Sequence, residues 1–115
     1  MIVRRRFDFE AAHRLPHHPG KCRELHGHSY RLIVSVDRPV DPASGMAIDF
    51  GELKQTVRDS VVERLDHRYL NDEIENPTAE RIASWIWQRL TAELPGLREI
   101  ELFETRNCSV VIRGE

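Results

Sequence analysis

Two stretches of the chain alternate between polar and apolar residues, and both place histidine on the apolar side. In residues 2–14 the apolar face carries Val3, Phe7, Phe9, Ala11 and His13. In residues 26–36 it carries His26, His28, Tyr30, Leu32, Val34 and Val36. A period of two residues is typical of strands with one buried face. The alternation therefore predicts two β-strands whose buried faces include three histidines.

A helical period replaces the alternation in the middle of the chain. Behind a predicted N-cap at Asp49, apolar residues recur every three or four positions. This first helix is predicted to end around Asp66–His67. A second helix is predicted to start at Asn76-Pro77-Thr78 and to stop at Pro95–Gly96, because proline and glycine follow helix ends.

Strands return near the carboxyl end. Period two covers residues 100–104, and after a turn at 106–107 a last strand is predicted for 109–112. A short returning strand is also predicted at 46–48. The order strand, strand, helix, helix, strand, strand (ββααββ) predicts one α+β domain, residues 1–115, with a four-stranded antiparallel sheet covered on one face by two helices. Such a sheet leaves two open edges, so we expect a homo-oligomer that pairs them.

Composition excludes several classes of function. Seventeen basic and nineteen acidic side chains give a formal charge of -2, so no surface for nucleic acid or an anionic membrane is expected. No apolar run is long enough to cross a bilayer, and the amino terminus lacks the apolar core of a secretory signal. Two cysteines are too few for a disulfide framework. We therefore expect a cytoplasmic protein whose partner is a small molecule or another protein.

Histidines concentrate in one short region, since five of the six lie between residues 13 and 28. The His-x-His pattern puts His26 and His28 on one face of a strand, about 7 Å apart along the chain. His13 lies on the neighbouring strand. Three neutral nitrogen donors with a vacant fourth position describe a catalytic zinc site. The alternative, histidines satisfied within the sheet, is disfavoured because imidazoles without partners on an apolar face cost free energy.

Other residues have two interpretations each. Cys22 is either a fourth metal ligand that closes the site, or a base or nucleophile whose thiolate the nearby cation favours. Asp66 and His67 form a carboxylate–imidazole pair, or the imidazole interacts with a helix carboxyl end. Glu104 anchors a ligand through two parallel hydrogen bonds, or it faces solvent at a strand edge. Cys108 is interpreted as a small buried apolar residue.

Several motifs in a fixed order resemble a known family. They are FEAAHRL, CRELHGHSY, IDFGELK, LDHRYLN, NPTAE and ET. Together they resemble the 6-pyruvoyl tetrahydropterin synthase superfamily, and most closely its bacterial branch, the 6-carboxy-5,6,7,8-tetrahydropterin synthases of the queuosine (7-deazapurine) pathway. Three residues separate Cys22 from His26, as in that branch, whereas the pyruvoyl synthases that make tetrahydrobiopterin typically have a longer interval. The resemblance extends from Phe7 to Glu115.

The resemblance implies a fold, an assembly and a cofactor. The fold is the tunnelling fold (T-fold), in which subunits join their sheets into barrels. Two stacked trimers form a homohexamer with active sites at subunit interfaces. The cofactor implied is Zn²⁺ on His13, His26 and His28.

The resemblance also implies roles for the remaining site residues. Cys22 handles protons together with Asp66 and His67, which reach over from a neighbouring subunit. Glu104 holds the pterin ring. Positions that match the family near the pocket, with less defined roles, are Thr78, Glu80 and Thr105.

The reaction implied begins with 7,8-dihydroneopterin triphosphate. Loss of triphosphate and acetaldehyde leaves 6-carboxy-5,6,7,8-tetrahydropterin, which makes the enzyme a carbon–carbon lyase without a nicotinamide cofactor. One alternative is a 6-pyruvoyl-tetrahydropterin synthase or a folate-pathway pterin lyase, and another is a zinc-binding assembly module without catalysis. His17 and His18 lie in a loop without an assigned role, and one of them is a candidate for binding phosphate.

Overall fold

The computed structural model describes residues 1–114, and Glu115, the last residue of the predicted domain, lies outside them. One sheet contains five strands: β1 (Ile2–His13), β2 (His26–Asp37), β3 (Arg68–Tyr69), β4 (Leu97–Thr105) and β5 (Cys108–Arg113). Their order across the sheet is β3-β1-β2-β4-β5. All neighbours are antiparallel except β1 and β3, which are parallel.

The helices are α1 (Phe50–Val57), α2 (Glu63–Leu65) and α3 (Ala79–Glu93), and two short 3-10 turns are Lys21–Arg23 and Leu70–Asp72. A π-helical segment, Arg58–Val62, joins α1 to α2. The predicted N-cap at Asp49 is confirmed, because its carboxylate accepts from Glu52 N–H at 3.0 Å. Thr78, within the predicted start of the second helix, is the N-cap there, and its hydroxyl accepts from Arg81 N–H at 3.2 Å. Within residues 1–114 no helix has the length and apolar character that a membrane crossing requires.

The apolar faces of the strands and helices form one core. Leu32, Leu53, Ile86 and Leu102 are each fully buried in it. Each such side chain contributes about 1.5–3 kcal/mol relative to an exposed one. The alternation thus predicted the buried side of the sheet correctly, and His13 is fully buried on that side.

The predicted α+β class is confirmed, but the number and order of the strands were wrong. The additional strand β3 has only two residues, too few to show alternation, and it pairs with Ala11 and Ala12 of β1. The predicted strand at 46–48 is a bend instead. Asp41 N–H donates to Met46 O at 3.0 Å, so the chain closes into a turn rather than extending along the sheet.

Both edges of the sheet are largely open in this chain. β3 covers only the end of β1, so residues 2–9 of β1 have no strand partner on that side among residues 1–114. At the other edge, β5 pairs with β4 alone. Unpaired backbone groups of this kind are available to another chain.

Gly96 occupies a turn that other residues fit poorly. Its φ is +85°, and a Cβ built there would lie 2.6 Å from Asp37 O. Gly45 has a similar φ of +73°, but a Cβ there would meet no described heavy atom within 4 Å. We expect Gly96→Ala to lower the free energy of unfolding by about 2–4 kcal/mol and Gly45→Ala by about 1 kcal/mol, measured by urea denaturation. Equal losses would show that backbone conformation, and not the contact with Asp37, sets the cost.

Candidate metal centre

Three histidine rings meet at one end of the β1–β2 pair. The register places His13 opposite His26 and Ala11 opposite His28. The ring centroids are 4.5, 4.9 and 5.1 Å apart. One ring nitrogen of each histidine lies within 4.8 Å of the others. The structure therefore brings together the three histidines predicted from the sequence, in an arrangement that could hold a metal ion.

Backbone carbonyls determine which ring nitrogens are free. His13 Nδ1 lies 2.8 Å from Pro77 O, and His26 Nδ1 lies 2.7 Å from Glu24 O. Because a carbonyl oxygen only accepts, both Nδ1 atoms carry a proton and donate it. The lone pairs of the neutral rings then lie on Nε2, and these two Nε2 atoms face each other at 2.9 Å. A cation between them would remove the repulsion of the two lone pairs.

His28 offers a third nitrogen without a partner. Its Nε2 atom is buried and makes no hydrogen bond to the described residues. The nearest carboxylate oxygen, Glu104 Oε1, is 3.5 Å away, which is longer than a normal hydrogen bond. Burial lowers the pKa of both His13 and His28, so the neutral form that binds metals is favoured. Three neutral imidazoles suit zinc and similar divalent ions.

Tyr30 lies beside the rings and was not singled out from the sequence. Its hydroxyl is 3.3 Å from His13 Nδ1, and its ring centroid is 5.6 Å from that of His28. Burial, and after it the charge of Glu104, raises the pKa of Tyr30, so this side chain remains a neutral phenol. In the sequence it looks like any core aromatic on an apolar strand face.

Several further predicted residues line one cavity, which Glu104 connects to His28. It has a volume of about 380 Å³, and its wall includes Cys22, Thr78, Glu80 and Glu104. Cys22 is half-buried and does not belong to the three-histidine group, so its position does not favour a fourth metal ligand. A neighbouring cavity of about 650 Å³ contains Thr105 and His28, and Glu104 borders both cavities.

Asp66 and His67 lie outside the wall of the Cys22 cavity of their own chain, but His67 lines another cavity, of about 500 Å³, together with His28. The helix ends before them, and the His67 φ of +59° turns its ring so that Nδ1 lies 3.0 Å from Asp66 Oδ1. β1 holds the pair, because Glu10 N–H donates to Asp66 Oδ1 at 3.0 Å and His67 N–H donates to Glu10 O at 2.6 Å. Burial alone would raise the pKa of Asp66, but the hydrogen bonds that its carboxylate accepts from Glu10 N–H and from the His67 side chain lower the pKa overall. The His67 side chain is 78% exposed.

Cys108 corrects one expectation. The sequence predicted a buried apolar residue, but Cys108 is exposed and lines the Cys22 cavity. It is the first residue of β5, directly after a turn. His18 lines the same cavity, whereas His17 does not, and residue type alone could not distinguish these two neighbours.

Comparison with known proteins identifies the family. The family model described as 6-pyruvoyl tetrahydropterin synthase matches residues 2–115. The chain belongs to this family. The resemblance inferred from its motifs is thereby confirmed.

Proteins similar to this chain carry names for different activities. A Synechocystis sp. protein named 6-carboxy-5,6,7,8-tetrahydropterin synthase is 50% identical over 111 residues, which cover 90% of this chain and 86% of the relative. A Pyrococcus furiosus protein named dihydroneopterin monophosphate aldolase is 42% identical, with coverage of 91% and 90%. The solved structure of Caenorhabditis elegans 6-pyruvoyl tetrahydropterin synthase has a TM-score of 0.89 and 28% identity, and covers 100% of this chain and 96% of that one.

Proposed function

We propose that this protein is a cytoplasmic, zinc-dependent 6-carboxy-5,6,7,8-tetrahydropterin synthase of queuosine (7-deazapurine) biosynthesis, formed by one domain over residues 1–115. It would convert 7,8-dihydroneopterin triphosphate and water into 6-carboxy-5,6,7,8-tetrahydropterin, acetaldehyde and triphosphate. The observation that carries the proposal is the pair of Nε2 atoms of His13 and His26 facing each other at 2.9 Å. The third histidine, His28, has its Nε2 atom 3.5 Å from Glu104, which borders the Cys22 cavity. The 50% identity to the Synechocystis sp. protein supports the choice of product.

The three histidines would hold zinc through ring nitrogens. His13 and His26 keep Nε2 directed at the centre because their Nδ1–H groups are bonded to the carbonyls of Pro77 and Glu24. Zinc bound there would supply Lewis-acid stabilisation to side-chain oxygens of the substrate. His28 contributes the nitrogen that has no other partner among the described residues.

Cys22 and the Asp66–His67 pair would transfer protons. Cys22, half-buried in the cavity wall, would accept a proton as a thiolate. In the pair, the Asp66 carboxylate accepts a hydrogen bond from Nδ1–H of His67, which leaves Nε2 to exchange protons with substrate. The exposed His67 ring lies outside its own Cys22 cavity, so we propose that it serves the cavity of a neighbouring subunit.

Glu104 would orient the substrate ring. Its carboxylate would accept hydrogen bonds from the pterin N–H groups. Because Glu104 Oε1 lies 3.5 Å from His28 Nε2, a ring bound by this carboxylate lies beside the histidine group. Thr105, Thr78 and Glu80 would complete the walls of the two cavities that Glu104 borders.

We further propose a homohexamer of two stacked trimers with active sites at subunit interfaces. Two observations support this assembly. The outer side of residues 2–9 in β1 and the outer side of β5 lack strand partners among the described residues. If these edges pair between copies, their backbone groups gain strand partners. Exposed residues such as His67 would then lie close to another chain.

A subunit-mixing experiment tests whether the site is shared. Cys22→Ala and His67→Ala proteins are each expected to be nearly inactive. When equal amounts are unfolded together and reassembled, a site that takes Cys22 from one subunit and His67 from its neighbour is intact in about a quarter of cases. We therefore expect about a quarter of wild-type turnover to return. Mixed assemblies that stay inactive would place both residues in a site made by one chain.

Product identification distinguishes the proposed reaction from the second candidate. The 42% identity to the Pyrococcus furiosus aldolase favours an aldolase-type pterin lyase as the alternative. Zinc-loaded protein is incubated with 7,8-dihydroneopterin triphosphate, and the products are identified by mass spectrometry. The 6-carboxy product with acetaldehyde supports the proposal. A 6-hydroxymethyl pterin, formed with a two-carbon aldehyde that carries the triphosphate, indicates the aldolase-type lyase, and a pyruvoyl product without acetaldehyde indicates a 6-pyruvoyl-tetrahydropterin synthase. Zinc-loaded protein without any turnover would favour the assembly module.

A further inference from the structure

His18 occupies a position in the Cys22 cavity that neither the metal group nor the proton-transfer residues explain. It lines the cavity of about 380 Å³ together with Cys22 and Glu104. Both His18 and its neighbour His17 are exposed, but His17 is absent from the cavity wall. The structure therefore selects one of two adjacent loop histidines for contact with whatever the cavity binds.

A local hydrogen bond makes Nε2 of His18 a donor. Gly20 N–H donates to His18 Nδ1 at 2.9 Å, so Nδ1 acts as an acceptor. The proton of the neutral ring is then on Nε2. A Cβ at Gly20 would lie 3.1 Å from His18 Cε1, which shows that the ring packs directly against this glycine. The Nε2–H group, which makes no hydrogen bond among residues 1–114, suits a ligand with acceptor oxygens and is unsuited to a metal cation.

The segment that carries His18, residues 14–23, is basic in sequence. It contains Arg14, Lys21 and Arg23, and the next residue, Glu24, is the one carboxylate beside it. Elsewhere in the cavity wall, Glu80 and Glu104 would repel a phosphate. A phosphate chain would therefore be directed towards the 14–23 segment, where His18 is the side chain that both reaches the cavity and presents a fixed donor.

We propose that His18 is a specificity residue that donates Nε2–H to a phosphate oxygen of the pterin triphosphate. It thereby favours the phosphorylated substrate over 7,8-dihydroneopterin, which lacks the phosphate chain. This inference rests on the proposed function, because it names how that same site recognises part of its substrate.

Steady-state kinetics test the proposal with three variants. His18→Leu removes the donor, His18→Gln keeps an N–H at a similar distance, and His17→Leu is the matched control outside the cavity. A hydrogen bond to a charged group is expected to change binding by about tenfold or more. We expect His18→Leu to raise KM for the triphosphate about tenfold with kcat within about twofold, and His18→Gln to restore most of the loss. His17→Leu should match the wild type.

The inhibition constant of unphosphorylated 7,8-dihydroneopterin gives the discriminating readout. If His18 contacts only the phosphate chain, this competitive inhibitor binds wild type and His18→Leu equally well. An equal loss for the inhibitor and the triphosphate would overturn the proposal, because it would show a general change in the cavity. An equal effect of His17→Leu would also overturn it.

A second assay does not depend on turnover. In a Cys108→Ser background, the rate at which N-ethylmaleimide alkylates Cys22 is measured with and without inorganic triphosphate, added as its magnesium complex to spare the bound metal. Triphosphate is expected to slow alkylation, and His18→Leu to lose most of this protection while His17→Leu keeps it. Protection that survives His18→Leu, or that is absent from the start, refutes the role of His18. If the proposed function is wrong but the role of His18 is right, the protein forms a different product, while triphosphate still protects Cys22 from alkylation.

Discussion

Replacing His28 with alanine is expected to abolish metal binding and to lower turnover by about three orders of magnitude. Two imidazoles do not complete a site of this type. The Lewis-acid stabilisation that would be lost is worth several kcal/mol, and each 1.4 kcal/mol changes a rate tenfold. His28 is the best of the three positions to change, because its Nε2 has no hydrogen bond among the described residues. His13, by contrast, is fully buried and bonded to Pro77, so its loss would also disturb the core.

The measurement is the metal content of the purified variant by elemental analysis, together with product formation. His17→Ala provides the matched control, since it makes the same change at an exposed histidine outside the cavity and should keep about one metal ion per chain. Unfolding by urea should show similar midpoints for both variants. A folded His28→Ala protein with the metal content of the wild type would rule out the three-histidine site.

The second large effect is expected at Cys22. Replacing Cys22 with alanine should lower turnover by about 10²- to 10⁴-fold, the usual contribution of a positioned acid or base. Metal content should stay unchanged, because Cys22 lies outside the three-histidine group. This combination, measured by product formation and elemental analysis, would separate a proton-transfer role from a fourth metal ligand. Loss of metal from Cys22→Ala protein would instead support the closed site.

Cys108 supplies the control for this experiment within the same cavity. Cys108→Ala removes the same chemical group from the same wall, and turnover is expected to stay within about twofold of the wild type. Undiminished turnover in Cys22→Ala protein would show that Cys22 takes no part in the reaction. A large loss in Cys108→Ala protein would show that the cavity depends on its shape and not on one thiol.

The Asp66–His67 pair shows how far reasoning from the sequence could reach. The two residues are adjacent in sequence, and a helix does not let adjacent side chains face each other. A direct pair therefore required the helix to end before Asp66, and the structure shows that it ends at Leu65. The hydrogen bonds that hold the pair to Glu10 of β1 could not be foreseen, because they join residues more than fifty positions apart. Neither could β3, whose two residues carry no periodic signal.

By itself the sequence determined the two long strands, the two helical stretches with their caps, and the presence of three histidines on one buried sheet face. Burial of one face leaves a period in residue type, so these features can be read without coordinates. Only the tertiary structure decided which ring nitrogens are free, that His18 and not His17 faces the cavity, and that Cys108 is exposed. Those outcomes depend on backbone carbonyls and on the path of loops. Because every residue except proline carries the same backbone donor and acceptor, the partners of these backbone groups cannot be predicted from the order of the side chains.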